Sequence, residues 1–173
     1  MGEKLNILTY MAVTVTLVVG ADGSTSKGGN SSGVSSAADR SAFLARRRLA
    51  DCILIGGNTA RNEPYHRTPV PVVVLSKSLI NPLADNRLAH CWNLAPVQAI
   101  ERAEKTFGPN IHVEAGVAII QELIDAGLVD ALELSITDVT GGEDVIDVKQ
   151  LLSHFSISEE KIESGTHFIS ARK

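Results

Sequence analysis

Hydrophobic residues fall along this chain in short runs, many of them β-branched, and small or polar residues close each run. Residues 6–19 are rich in Val, Ile, Leu and Thr and read as a strand. Residues 52–55, 72–75 and 111–114 are short and mostly apolar, which predicts buried strands of the kind found in parallel sheets. A weaker strand is expected at 88–92. Residues 131–137 alternate, with Leu132, Leu134 and Ile136 set against Glu133, Ser135 and Thr137, the period of two on which strands are built. Residues 155–163 and 166–171 flank Ser164-Gly165 and predict a closing hairpin.

Helical segments lie between these runs. Residues 37–49 follow Ser36, a good N-cap, and Asp39 completes a capping-box pattern. A short helix is expected to open near Asn58. Pro96 fits the first turn of a helix that Gly108-Pro109 stops after Phe107. Residues 117–126 end at Gly127, a C-cap residue, and a short helix is expected at 148–153. Strands that alternate with helices and then close in a hairpin predict an α/β fold. Its sheet is mostly parallel, with helices on both faces and an antiparallel edge. The serine- and glycine-rich stretch 20–36 reads as a long ordered loop of functional use. It is not read as a linker, because the lone strand before it cannot form a domain. Residues 1–173 are therefore expected to make one domain, long enough for a real core.

Candidate chemistry gathers where strands end. Gly56-Gly57-Asn58-Thr59, Ser76-Lys77-Ser78 and Glu114-Ala115-Gly116 each follow a strand. Small and hydroxylated residues let backbone N–H groups approach an anion, and three such corners suggest a ligand with several phosphates, such as a dinucleotide. Neither GxGxxG nor GxxxxGK[ST] occurs, so a standard Rossmann fingerprint and a P-loop are not supported. Ser76-Lys77-Ser78 suits a terminal phosphate like the one that separates NADP from NAD, with a plain polar turn as the other reading. Glu114, a carboxylate at a strand end, is expected near a ligand, with a solvated loop acid as the other reading. Arg47 shares a helical stripe with Phe43 and Leu44 and is expected to have an anionic partner, while Ala38, Ala42, Ala45 and Leu49 form a rival core stripe.

Charge narrows the choice. The net charge of −4 argues against a general nucleic-acid binder. Within that acidic chain, Arg40, Arg46, Arg47, Arg48, Arg61, Arg67 and Lys77 face only Asp39, Asp51 and Glu63 in their stretch. They mark either a local anion site or a solvated helix face. Cys52 and Cys91 lack CxxC spacing and read as buried free thiols in a reducing compartment. The scattered histidines show no HxxxH or HExxH spacing, so no metal is expected. The apolar run 7–19 is too short to span a bilayer, and its threonines and β-branching favour a strand over a signal peptide. A cytoplasmic protein without membrane contact is expected.

Taken in order, Asp22-Gly23, Ser31, Ser35-Ser36-Ala-Ala-Asp39-Arg40, Phe43, Arg47, Leu54-Ile-Gly56-Gly-Asn-Thr59, Leu75-Ser-Lys77, Val113-Glu-Ala-Gly116 and Gly127-Leu-Val-Asp130 form a pattern. The pattern resembles the reductase domain of the bacterial bifunctional riboflavin-biosynthesis deaminase-reductase, within the dihydrofolate reductase superfamily. The resemblance implies a dihydrofolate-reductase-like three-layer αβα sandwich around a mixed, mostly parallel eight-stranded sheet that ends in an antiparallel hairpin. It implies NADPH as cofactor, a homodimer, and hydride transfer to a small heterocyclic substrate. The first acceptor to consider is 5-amino-6-(5-phosphoribosylamino)uracil of riboflavin biosynthesis. A pterin- or dihydrofolate-like acceptor is the alternative, as is an NADP(H)-binding protein without efficient turnover. A flavin- or nucleotide-phosphate-binding module is a further rival.

By the same resemblance, the cofactor groove involves Val19, Gly56, Gly57, Asn58, Thr59, Asn62, Ser76, Lys77, Ala115, Gly116, Val117 and Ala118. Asp22, Ser31, Arg47, Arg67 and Glu114 fall where a phosphoribosyl-pyrimidine is held, and Glu114 and Glu63 are the candidate catalytic carboxylates. The chain departs from the pattern in places. The usual Glu-Gly-Gly is Glu114-Ala115-Gly116, the stretch 59–64 is one residue short and carries Asn62-Glu63, and Gly33 replaces an aromatic residue. The HxE…PCxxC signature of zinc deaminases does not occur, so deaminase chemistry is not expected.

Overall fold

Residues 12–78 and 80–173 are described by a computed structural model. Positions 6–11 of the first expected strand, and the start of the 7–19 run, lie outside the described residues. The chain begins with β1 (Ala12–Val19), passes through β2 (Ser24–Ser26) and one 3₁₀ turn (Ser31–Gly33), and enters α1 (Ala37–Arg47). Then follow β3 (Cys52–Gly56), α2 (Gly57–Asn62), β4 (Val72–Leu75), β5 (Ala89–Trp92), α3 (Pro96–Phe107), β6 (Asn110–Val113) and α4 (Val117–Asp125). The last elements are β7 (Ala131–Ile136), β8 (Glu143–Val145), α5 (Val148–Leu152), β9 (Ser156–Glu163) and β10 (Thr166–Arg172).

Eight strands form one sheet in the order β5-β4-β3-β6-β1-β7-β10-β9. All neighbours from β5 to β7 run parallel, and β10 pairs antiparallel with β7 and β9. The expected mixed sheet with an antiparallel end is therefore the observed one. Ser164 and Gly165 turn the final hairpin with φ of 49° and 78°. Positive φ at both central residues is the type I′ geometry that matches strand twist, and glycine adopts it without strain. The small β2–β8 ribbon and the 3₁₀ turn lie in segments expected to be irregular.

Alternation along the strands divides the core between the two faces. Cys52, Leu54, Val73, Val13, Val15, Leu132 and Leu134 point to the face that α3, α4 and α5 cover, with Ala99, Ile100, Ala103, Ile120, Leu123 and Leu151 packed on them. Ile53, Ile55, Val72 and Val74 point to the opposite face and meet Ala60, Tyr65 and Leu83. Full burial of such an aliphatic side chain stabilises by about 1.5–3 kcal/mol, so both helix layers are held mainly by this packing.

The second face changes character toward β1 and β7. The polar set of β7 was expected to alternate with the apolar one, and it does, but Ser135 and Thr137 are buried too. The Thr137 hydroxyl donates to the Val34 carbonyl at 2.6 Å, tying the end of β7 to the serine-rich loop, and Asp130 accepts from the Val13 N–H of β1 at 2.9 Å. Helix α1 lies on this side. Its Ser36 N-cap accepts from the Asp39 N–H at 3.0 Å, as expected. The rival aliphatic stripe on α1 is half-buried at Ala38 and Ala42 and no further, and Leu44 of the Arg47 stripe is exposed as well. Leu49 is 76% exposed and Ala45 is exposed, whereas Asp39 and Arg47 are buried. The helix ends at Arg47, two residues before the expected end, so Leu49 leaves the helix and loses that face.

Candidate active site

The three phosphate-suited corners belong to β4, β3 and β6, which are consecutive neighbours in the sheet. Parallel strands place all three corners at one edge, and two strand spacings of about 4.8 Å bring the outer two within roughly 10 Å. Ligands of open α/β sheets lie beyond this carboxyl edge. A cleft of about 520 Å³ opens there, between the end of β6, α1, α2 and the serine-rich loop. Thr16, Leu17 and Val18 of β1 line its inner wall.

Helix α4 starts at this edge. Its N-cap Gly116 offers no side-chain cap, and a methyl group placed there would meet nothing within 4 Å. The start of α4 thus has open space at Gly116 and no side-chain cap, a setting that favours an anion. At the neighbouring corner, a methyl group on Gly57 would lie 3.2 Å from Arg61 Nη1 and 3.4 Å from Ser76 Oγ. Gly57, Arg61 and Ser76 therefore meet at one spot, next to exposed Lys77.

The floor of the cleft is a buried cluster. Arg47 Nε donates to Glu114 Oε1 at 3.1 Å and Oε2 at 3.0 Å, and Arg47 Nη2 donates to Oε2 at 2.8 Å. The Tyr65 hydroxyl donates to the same Oε2 at 2.6 Å. The guanidinium lies 4.3 Å from the Phe43 ring centre and 4.5 Å from that of Tyr65, so the two rings clamp it. Burial alone would lower the Arg47 pKa, but the hydrogen bonds and charge of Glu114 prevail and raise it, so the guanidinium stays charged. Burial, then the Glu114 charge, pushes Tyr65 well above the usual tyrosine value.

Loop and wall complete the site. The Ser31 N–H donates to Glu63 Oε1 at 2.7 Å, and Lys27 Nζ donates to the Thr140 carbonyl at 2.8 Å, which straps the serine-rich loop over the cleft. Asp39, 5% exposed, lines the cleft and accepts from the Ser35 hydroxyl at 2.6 Å. Arg40 also lines the cleft, is exposed, and has no ion-pair partner among the described residues.

Of the residues singled out in the sequence, Ser31, Arg47, Asn58, Thr59, Asn62, Glu63, Glu114, Ala115, Gly116 and Val117 line the cleft together. Gly56, Gly57, Ser76 and Lys77 stand at the β3 and β4 ends beside it, and Ala118 is exposed on α4. Val19 is fully buried in the core and does not border the cleft. Three of the residues expected at the substrate have other surroundings in the structure. The anionic partner of Arg47 is Glu114, which engages its Nε and Nη2, while Arg47 itself lines the cleft. The Asp22 carboxylate accepts from the Ser24 hydroxyl, from the Gly141 N–H at 2.7 Å and from the Ser24 N–H at 3.1 Å; together these bonds hold its pKa at about 2. It braces the loop outside the cleft. Arg67 is exposed beyond α2 and does not line the cleft either.

Sequence reasoning missed Tyr65 altogether. An aromatic residue standing alone between the polar segments on either side was the one signal that marked it. Asp39 was read as a capping residue and as part of the family pattern, and its burial at the cleft wall was not visible there.

A family model described as the RibD C-terminal domain matches residues 11–164. Among solved structures, the fold is similar to that of a diaminohydroxyphosphoribosylaminopyrimidine deaminase/5-amino-6-(5-phosphoribosylamino)uracil reductase from Thermotoga maritima. That likeness has a TM-score of 0.72 at 13% identity and covers 94% of this chain and 56% of the other, so the chain spans little more than half the length of that protein. A pyrimidine reductase-like protein from Corynebacterium diphtheriae gives a TM-score of 0.72 at 16% identity, over 93% of this chain and 91% of the other. A dihydrofolate reductase from Enterococcus faecalis, complexed with NADP(H), gives 0.71 at 14% identity, over 94% and 97%. No curated protein sequence matches the chain.

Proposed function

The chain belongs to the RibD C-terminal domain family, and from that premise we propose that it is an NADPH-dependent reductase of a small heterocyclic, phosphorylated substrate. The foremost acceptor is 5-amino-6-(5-phosphoribosylamino)uracil. One observation carries the reading: three phosphate-suited strand ends lie side by side at the rim of a cleft whose floor is a buried, hydrogen-bonded carboxylate.

The residues at that edge fit the cofactor. The open space at Gly116 and the uncapped start of α4 suit a pyrophosphate. Arg61, Ser76 and Lys77 suit the extra phosphate of NADPH through charge-assisted bonds. Bound NADPH supplies a hydride; this chain's own part is to hold and orient the acceptor and exclude competing positions. Arg40, a cleft cation with no ion-pair partner among the described residues, takes the substrate's phosphate. Glu114 accepts a hydrogen bond from the substrate, and Ser31 and Asn62 border the same space. The strap between Glu63 and Ser31 holds the serine-rich loop over the reacting groups. No helix among the described residues is long and apolar enough to cross a membrane. A cytoplasmic homodimer completes the reading.

The test is NADPH oxidation by the purified protein with 5-amino-6-(5-phosphoribosylamino)uracil and, separately, with dihydrofolate. Turnover of the first substrate is expected. Turnover of dihydrofolate alone moves the substrate to the pterin class. NADPH binding without oxidation in either case overturns the reductase reading.

A further inference from the structure

Tyr65 sits under the cleft in a way that a core aromatic does not require. Its ring packs with Ile53, Ile55, Val72, Val74 and Leu83, a job phenylalanine would do equally well. The hydroxyl, however, aims at Glu114 Oε2 at 2.6 Å, from a residue that is 4% exposed. Its backbone is pinned on both sides. The Tyr65 N–H donates to the Glu63 carbonyl at 2.9 Å, and Asn86 Nδ2 donates to the Tyr65 carbonyl at 2.9 Å. The same ring faces the Arg47 guanidinium at 4.5 Å.

Donors crowd one oxygen of Glu114 and leave the other mostly free. Among the described residues, Oε2 accepts from Arg47 Nε, Arg47 Nη2 and Tyr65, whereas Oε1 accepts only from Arg47 Nε at 3.1 Å. An ionised carboxylate has about four lone-pair sites, so acceptor capacity remains at Oε1, on a residue that lines the cleft. Protonating Glu114 would weaken the bonds at Oε2, because a bond to an ionised acceptor is about twice as strong as a neutral one.

We propose that Tyr65 is a positioning residue of the reductase: with Arg47 it cages Glu114 as a fixed, charged acceptor that reads a hydrogen-bond donor on the substrate, and Glu114 does not supply the proton of the reduction. The inference rests on the reductase reading above. In the reduction a hydride adds to the carbon of a C=N or C=O bond, the π pair moves to nitrogen or oxygen, and a proton is taken up there. Solvent water reaching the open side of the cleft delivers that proton, while Glu114 keeps its charge throughout.

Tyr65→Phe tests this, because it keeps the ring in the core and beside Arg47 and removes the hydroxyl alone. With NADPH and 5-amino-6-(5-phosphoribosylamino)uracil, kcat/KM is expected to fall about tenfold or more, with NADPH affinity within about twofold and the melting temperature nearly retained. A lowered melting temperature with unchanged kcat/KM would mean a structural residue and overturn the proposal. A second arm needs no substrate. In a Tyr10→Phe background Tyr65 is the only tyrosine, and its ionisation is read by ultraviolet absorbance. Adding Glu114→Gln should let Tyr65 ionise at lower pH, since the carboxylate's charge and bond hold the phenol neutral. An unmoved titration overturns the cage. If the unaltered enzyme oxidises NADPH with neither the pyrimidine nor dihydrofolate, the reductase reading fails by itself, and the titration still decides whether Tyr65 and Glu114 are coupled.

Discussion

Arg47→Met removes the charge that faces Glu114 while keeping a long apolar stem between Phe43 and Tyr65. The two side chains of the pair are 5% and 3% exposed, so solvent cannot screen the loss. Among the described residues, Glu114 would retain only the Tyr65 hydroxyl as a donor. Breaking a buried pair by removing one partner costs about 3–5 kcal/mol, chiefly because the other charge is left uncompensated. The two aromatic contacts, at 4.3 and 4.5 Å, add about 1 kcal/mol or more. Urea unfolding followed by the fluorescence of Trp92, the single tryptophan, measures the sum. For a chain of this length the melting point should drop by about 10 °C or more. The cost should be similar at low and high salt. Arg47→Lys should cost about 2–3 kcal/mol, because an ammonium cannot reproduce the planar two-point contact or the ring stacking. Adding Glu114→Gln to Arg47→Met should recover about 2 kcal/mol, since no charge is then stranded. An Arg47→Met penalty below about 1 kcal/mol, or a double variant no better than the single, would refute a buried ion pair under the cleft.

Three further outcomes follow from the same geometry. Lys77→Glu should weaken NADPH far more than NADH in a binding titration, because it reverses the charge beside Ser76 and Arg61; equal losses would take these residues out of phosphate recognition. Burial, and then the Arg46 charge, holds His112 below its usual value of 6.5 against the weaker opposing pull of Glu133. The unfolded chain therefore binds a proton below pH 6.5 that the folded chain does not, so stability should fall as pH drops, and His112→Asn should flatten that slope in denaturation curves. Light scattering should give twice the chain mass, with Ile157 and Ile162, 49% and 76% exposed on the edge strand β9, in the contact; a monomer at working concentration would rule that out.

Local pattern determined much of this protein. The strand at Val72–Leu75 and the helix at Pro96–Phe107 fall on their expected bounds, because an apolar run between turn residues and a proline–glycine frame act over a few neighbouring positions. The three anion-suited corners were legible for the same reason, since each is a strand end followed by small residues. Their meeting was not. Only the strand order puts β4, β3 and β6 side by side and turns three separate turns into one rim. The site floor lay further from reach. Arg47 and Glu114 are 67 positions apart and Tyr65 and Glu114 are 49, so no periodicity links them. The sequence marked Arg47 as an arginine in need of an anion, and the tertiary structure decided that the anion is Glu114. A fold can satisfy a buried charge with any partner that the sheet and helices bring within about 3 Å, and that choice is made through space, after the chain has closed on itself.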